Sequence, residues 1–198
     1  MSLFIETIKC KEGKLYNLSC HQARFNRTRK EYLGLSTHSE LAEMIAVPQA
    51  CKTGLFRCRM LYSEKIEKTE FIPHAYQETG SLKLVEDPAI HYPYKFADRR
   101  RLDQLFRMRE DCDDIIIVKN NRITDSSRAN IVFYDGREWW TPDTPLLPGT
   151  QRARLIDEGK IRACPIAVSD LRHFEKAGLI NAMLSWDKMP LVEVKNIL

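Results

Sequence analysis

A chain of 198 residues with 43% hydrophobic content has enough apolar material for one sizeable core or two small lobes. Its formal charge of +4 is mild and spread along the chain, which suits small anionic ligands and argues against a dedicated nucleic-acid surface. The six cysteines form no C-x-x-C pair and no Cys/His cluster with zinc spacing, so reduced thiols in a cytoplasmic protein are expected. The N-terminus shows no basic segment leading into a long apolar run, and no stretch has the length of a membrane span, so neither a signal peptide nor a membrane partner is expected.

Leu3 to Lys9 and Lys14 to Tyr16 read as a hairpin around Lys11-Glu12-Gly13. Ser19 is positioned to cap a helix running to Tyr32 and closed by Gly34. A shorter helix is expected over Glu40 to Ala46, opened by Ser39 and stopped by Pro48. Leu55 to Tyr62 alternates in polarity and predicts a half-buried strand, with Ile66 to Ile72 and Leu82 to Val85 as antiparallel neighbours. This first region reads as a small α+β lobe, residues 1–88, and the remainder, 89–198, as a larger and mostly β lobe with packed helices.

The second region opens on I-H-Y-P-Y-K-F-A-D-R. Lys95 stands between Tyr94 and Phe96 just after Pro93, which favours an extended approach to the lysine. Aromatic walls would desolvate the amine and disfavour its ammonium form, as a Schiff-base lysine requires. A helix is expected from Asp98, as N-cap, to Glu110. The apolar run Ile115 to Val118 predicts a buried strand, Asn120-Asn121 a tight turn, and Ala129 to Tyr134 with Arg137 to Thr141 a hairpin over Asp135-Gly136. Further on come a helix from Gly149 to Gly159, a strand from Lys160 to Val168 and a short helix from Asp170 to Lys176. Strands at Leu179 to Leu184 and Leu191 to Val194 close the chain.

Four segments concentrate chemistry. L-L-P-G-T-Q-R ends a proline-rich loop at Gly149-Thr150 and opens a helix, whose first N–H groups make either a plain cap or an anion site. Asp125 and Asn130, five residues apart between two strands, offer either a turn or a carboxylate that can pair with a protonated ring nitrogen. His21 and Arg24 share a helix face at i and i+3, so Arg24 is either an exposed arginine or a guanidinium aimed at a phosphate. Lys95, taken alone either an ordinary surface lysine or a Schiff-base lysine, completes the set.

In this order the segments resemble the class IV, or fold-type IV, pyridoxal-phosphate enzymes. The matching residues are F-x-E-T-I at Phe4 to Ile8; Gly13, Leu18, His21 and Arg24; K-x-x-x-R at Lys95 and Arg99; Asp125 with Asn130; T-P-x-x-x-x-L-P-G-T at Thr141 to Thr150; and N-A-M-L at Asn181 to Leu184. The resemblance implies an α/β (α+β) fold of two lobes with pyridoxal 5'-phosphate in the cleft between them, and a homodimer acting on a small amino substrate. It implies Lys95 as catalytic lysine, Arg24 and Gly149-Thr150 on the cofactor phosphate, and Asp125 with Asn130 at the ring nitrogen. Asn181-Ala182 would give a further phosphate or carboxylate contact. By proximity to Lys95 alone, Tyr92, Tyr94 and Arg99 are candidate substrate neighbours, with core packing the alternative for the two tyrosines. Asp125 stands where the family more often has the longer glutamate, and the chain begins almost at F-x-E-T-I, so a shortened first lobe is expected. K-x-x-x-R and N-A-M-L look most like 4-amino-4-deoxychorismate lyases, which supply a folate precursor. The alternatives are a transaminase for branched-chain or D-amino acids and a non-catalytic relative.

Overall fold

The computed structural model describes residues 2–37 and 39–198. It divides into two compact units, one made of residues up to Tyr76 together with Tyr94–Asp98, the other of Gln77–Pro93 and Arg99–Leu198. The expected cut after residue 88 therefore falls elsewhere. Residues 77–88 belong with the second unit, and the five residues around Lys95 return to the first.

In the first unit, β1 (Phe4–Lys11) and β2 (Lys14–Leu15) form the expected hairpin, with Glu12 and Gly13 at positive φ. β3 (Leu55–Tyr62) pairs antiparallel with β1 and with β4 (Ile66–Pro73), giving the strand order β2-β1-β3-β4. Strand alternation sorts the side chains onto two faces. Phe4 faces Tyr62 across the ladder and Ile8 faces Cys58; these residues and Met60 pack with Phe25 of helix α1 (Leu18–Glu31) and Leu41 of the short helix α2 (Leu41–Met44). The opposite face carries Thr7, Lys9, Arg57 and Arg59.

Helix α1 begins one residue before Ser19. Its N-cap is Asn17 in a left-handed conformation, which asparagine tolerates better than most residues, and no side chain caps it. Helix α2 is a single turn capped by Glu40 rather than a helix from Glu40 to Ala46.

Tyr94–Asp98 is tied to this unit by backbone bonds. The Ile5 N–H donates to the Lys95 carbonyl at 2.9 Å, the Ala97 N–H donates to the Leu3 carbonyl at 2.7 Å, and Phe96 bridges Phe4. Tyr94 packs edgewise on Phe4 and Tyr32, and Phe96 packs edgewise on Tyr32 and tilted on Phe4.

In the second unit, β5 (Leu82–Glu86) pairs parallel with β6 (Asp114–Lys119), which corrects the expected antiparallel pairing with β3. A parallel pair needs a crossover of a dozen residues or more. The chain from 87 to 113 supplies it and includes helix α3 (Arg100–Arg107). Arg99, not Asp98, holds the N-cap position of α3. The sheet continues through β7 (Arg122–Ser126), β8 (Asn130–Tyr134) and β9 (Trp139–Pro142). After helix α4 (Thr150–Asp157), β10 (Arg162–Cys164) adds in parallel to β9, and β11 (Lys176–Ile180) pairs with β8 and with β12 (Leu191–Glu193). Ile116, Ile123, Ile131, Phe133 and Leu179 form its main core. The expected helix from Asp170 to Lys176 is a 3-10 segment, Val168–His173. Among the described residues no helix is long and apolar enough to cross a membrane.

Candidate functional site

The first unit assembles a buried ionic cluster on its α1 face. Glu6 points from β1 toward α1, where Arg24 Nε donates to Oε1 at 2.8 Å and Arg24 Nη2 to Oε2 at 2.6 Å. His21 Nδ1 lies 2.6 Å from Oε2, and because a carboxylate only accepts, the ring donates from Nδ1. All three residues are buried. Burial alone would raise the Glu6 carboxyl, but the Arg24 charge and the hydrogen bonds from His21 and Arg24 outweigh it and carry the pKa down to about 2. Burial lowers His21, Glu6 opposes that shift, and the positive charges of Arg24 and Lys95 add to it. The i, i+3 spacing of His21 and Arg24 thus does place them on one face, and that face meets Glu6. Glu6 was legible only as part of F-x-E-T-I; an acid inside an apolar strand was its one further signal.

Lys95 is half-buried, pinned through its carbonyl to β1. Its neighbour Tyr94 turns its hydroxyl to Glu31 Oε2, at 3.0 Å, and Arg27 lies over its ring. That engagement with α1 gives Tyr94 a packing role.

The second unit builds its site around Asp125. Asp125 and Asn130 are cross-strand partners in the β7–β8 hairpin, and Asn130 Nδ2 donates both to Asp125 Oδ1 at 2.8 Å and to the Leu147 carbonyl at 2.9 Å. The Leu147 N–H donates to Asp125 Oδ2 at 2.9 Å. The pair therefore clasps the loop that precedes α4. Gly149 is required here for space rather than for its backbone angle, because a Cβ would collide with Asn130 Oδ1. Burial raises Asp125 to about 7, against the lowering influence of the Leu147 N–H, Asn130, the Arg152 charge and the Leu146 N–H.

At the start of α4, Thr150 and Gln151 are both buried, and Gln151 Nε2 finds no hydrogen-bond partner among the described residues. The first N–H groups of a helix also lack acceptors within it. No acidic residue occupies this first turn. A buried, unsatisfied donor at such a helix start fits a bound anion such as a phosphate. Gln151 lies next to the expected Gly149-Thr150 pair and was not anticipated. Asn181 Oδ1 accepts the Met183 N–H at 2.9 Å, so the Asn181-Ala182 segment is a side-chain-closed turn. Arg99 Nη2 donates to the Ser127 carbonyl at 2.7 Å and Arg99 Nε lies 3.8 Å from Asp103, which ties it to the β7–β8 loop.

Residues 3–190 match the family model described as amino-transferase class IV. A protein of uncharacterised function from Haemophilus influenzae (strain ATCC 51907 / DSM 11121 / KW20 / Rd) is 37% identical over 180 residues, 90% of this chain and 96% of that protein. The crystal structure of a candidate 4-amino-4-deoxychorismate lyase from Haemophilus somnus 129pt superposes with a TM-score of 0.88 at 36% identity, covering 92% of this chain and 97% of the other. A candidate amino-acid aminotransferase from Mesorhizobium loti shares the fold, with a TM-score of 0.82 at 19% identity over the full length of both chains.

Proposed function

The chain belongs to the class IV aminotransferases, enzymes whose cofactor is pyridoxal 5'-phosphate, and from that premise we propose that it is a 4-amino-4-deoxychorismate lyase. It would release pyruvate and leave 4-aminobenzoate, a folate precursor. The observation that carries the choice of reaction is the 36% identity, across nearly the whole of both chains, to a candidate lyase of that kind.

The residues present suit the cofactor. Gln151 Nε2 and the first turn of α4 offer donors to a phosphate. In the first unit Arg24, held by Glu6, is a cation of the type that binds phosphate. Asp125, buried beside neutral donors, suits a protonated ring nitrogen. When bound, the cofactor supplies an electron sink at the substrate's amine. Lys95 Nζ takes the ring proton next to the amine nitrogen; the bond to the enolpyruvyl oxygen breaks, the ring becomes aromatic, and a returned proton completes pyruvate. Lys95 is suited to this because β1 fixes its backbone while its side chain stays partly accessible. A cytoplasmic homodimer is part of the same proposal.

The test is to load the protein with pyridoxal phosphate and supply 4-amino-4-deoxychorismate. Equal amounts of 4-aminobenzoate and pyruvate are expected, with none from Lys95→Ala. Amino transfer from an amino acid to a 2-oxo acid without 4-aminobenzoate release would replace the lyase reading with a transaminase.

A further inference from the structure

The sheet face of the first unit opposite α1 carries positive charge that the protein does not neutralise. Lys9 on β1 and Arg57 on β3 are direct cross-strand partners. Like charges placed directly opposite each other destabilise a sheet. Lys9 is only 9% exposed, and its ammonium lies 5.8 Å from the centre of the Tyr16 ring. Arg57 Nε is buried with no hydrogen-bond partner. His74, whose N–H donates to the Leu55 carbonyl, stands close enough that the positive charges of Arg57 and Lys9 help burial hold its pKa below the usual imidazole value. The carboxylate on this face, Glu70, is already taken by Arg59 at 3.1 Å and Lys68 at 2.7 Å. Among the described residues no acid pairs with Lys9 or Arg57.

Lys9 is buried and Arg57 half-buried, and like charges held together away from a counter-charge favour an anion joining them. Such local violations concentrate where a fold keeps a function. We propose that Lys9, Arg57 and His74 form a carboxylate-binding subsite, which holds the ring carboxylate of the substrate and of 4-aminobenzoate. The proposal deepens the lyase reading and takes the identity of the carboxylate from it. The Lys95 backbone is pinned beside Ile5, four residues from Lys9 on the same strand, or about 13 Å along it. The amine and carboxylate of 4-aminobenzoate lie closer together than that, so the long side chains of Lys95 and Lys9 must close the remainder.

Isothermal titration of the cofactor-loaded protein with 4-aminobenzoate, and with aniline as the carboxylate-free control, tests the subsite. The parent protein should bind 4-aminobenzoate and not aniline. Arg57→Gln and Lys9→Met should each weaken 4-aminobenzoate at least about tenfold, and Arg57→Lys should recover most of the loss. Cofactor uptake, followed by visible absorbance, should be the same in all variants. Melting of the unliganded Arg57→Gln protein at or above the parent temperature would set a binding role apart from a structural one. Equal affinity of parent, Arg57→Gln and Lys9→Met for 4-aminobenzoate would overturn the subsite. Failure of the parent to take up cofactor would count against the lyase reading instead. Titration of the unloaded protein would then decide the subsite by the same dependence on Arg57.

Discussion

Glu6 and Asp125 are both carboxylates buried inside their own unit, yet their environments drive them in opposite directions. Glu6 is gripped by a bidentate arginine and a histidine and falls to about 2. Asp125 touches an amide and a backbone N–H, keeps Arg152 only as a more distant charge, and rises to about 7. Burial alone does not fix a buried acid's state; whether a cation touches it does. In the first cluster both oxygens of the acid already meet a cation within the protein. Among the described residues no cation touches the acid of the second, and the cofactor's ring nitrogen is the partner proposed for it.

Isosteric amides break the comparison most sharply. Glu6→Gln leaves Arg24 buried without its counter-charge and should cost about 3–5 kcal/mol in urea unfolding at neutral pH. That cost should fade as the pH falls from the ordinary carboxylate range toward about 2, because a group with a depressed folded pKa contributes above its unfolded value and loses its contribution on acidification. Asp125→Asn should cost less, about 1–3 kcal/mol in unliganded protein at acid pH, since an amide cannot accept at both oxygens. Here the sign reverses. A raised folded pKa makes the parent most stable below its unfolded value, so the cost should shrink as the pH rises from about 4 to about 7. Costs of the two variants that move the same way with pH would contradict the contrast.

A smaller effect is expected at Gly149. Gly149→Ala forces the new methyl against Asn130 and should lower stability by about 1–3 kcal/mol, read as a lower melting temperature, while loosening the clasp on Asp125. Tyr94→Phe marks the low end. Loss of a surface bond to Glu31 should change stability by no more than about 0.5 kcal/mol and leave 4-aminobenzoate formation intact. A large loss of activity there would return Tyr94 to the substrate contacts.

Much of the scaffold could be read from local pattern. The apolar run at Ile115 to Val118, the alternation from Leu55 to Tyr62 and the Asn120-Asn121 turn became β6, β3 and a turn with both asparagines at positive φ. Periodicity and turn chemistry are properties of neighbours in the chain, so they survive without tertiary information. The partner of β5 did not, because a parallel ladder is decided by a crossover about thirty residues long rather than by the strand itself. The same holds in the site. Motif spacing brought out Lys95, Arg24, Asp125, Asn130 and Gly149-Thr150. Glu6 as the partner of Arg24, the clasp on the Leu147 backbone and the unsatisfied amide of Gln151 depend on which elements meet in space. Lys9 and Arg57 looked like ordinary strand cations until the register set them side by side.

The most direct measurement is the titration of Asp125, followed by the carbon chemical shift of its labelled carboxyl with and without pyridoxal phosphate. Without cofactor its midpoint should lie near 7, and with cofactor it should move well down into the ordinary carboxylate range or below, while Glu6 stays ionised throughout. An Asp125 midpoint unchanged by bound cofactor would contradict the claim that this buried acid is completed by the cofactor's ring nitrogen.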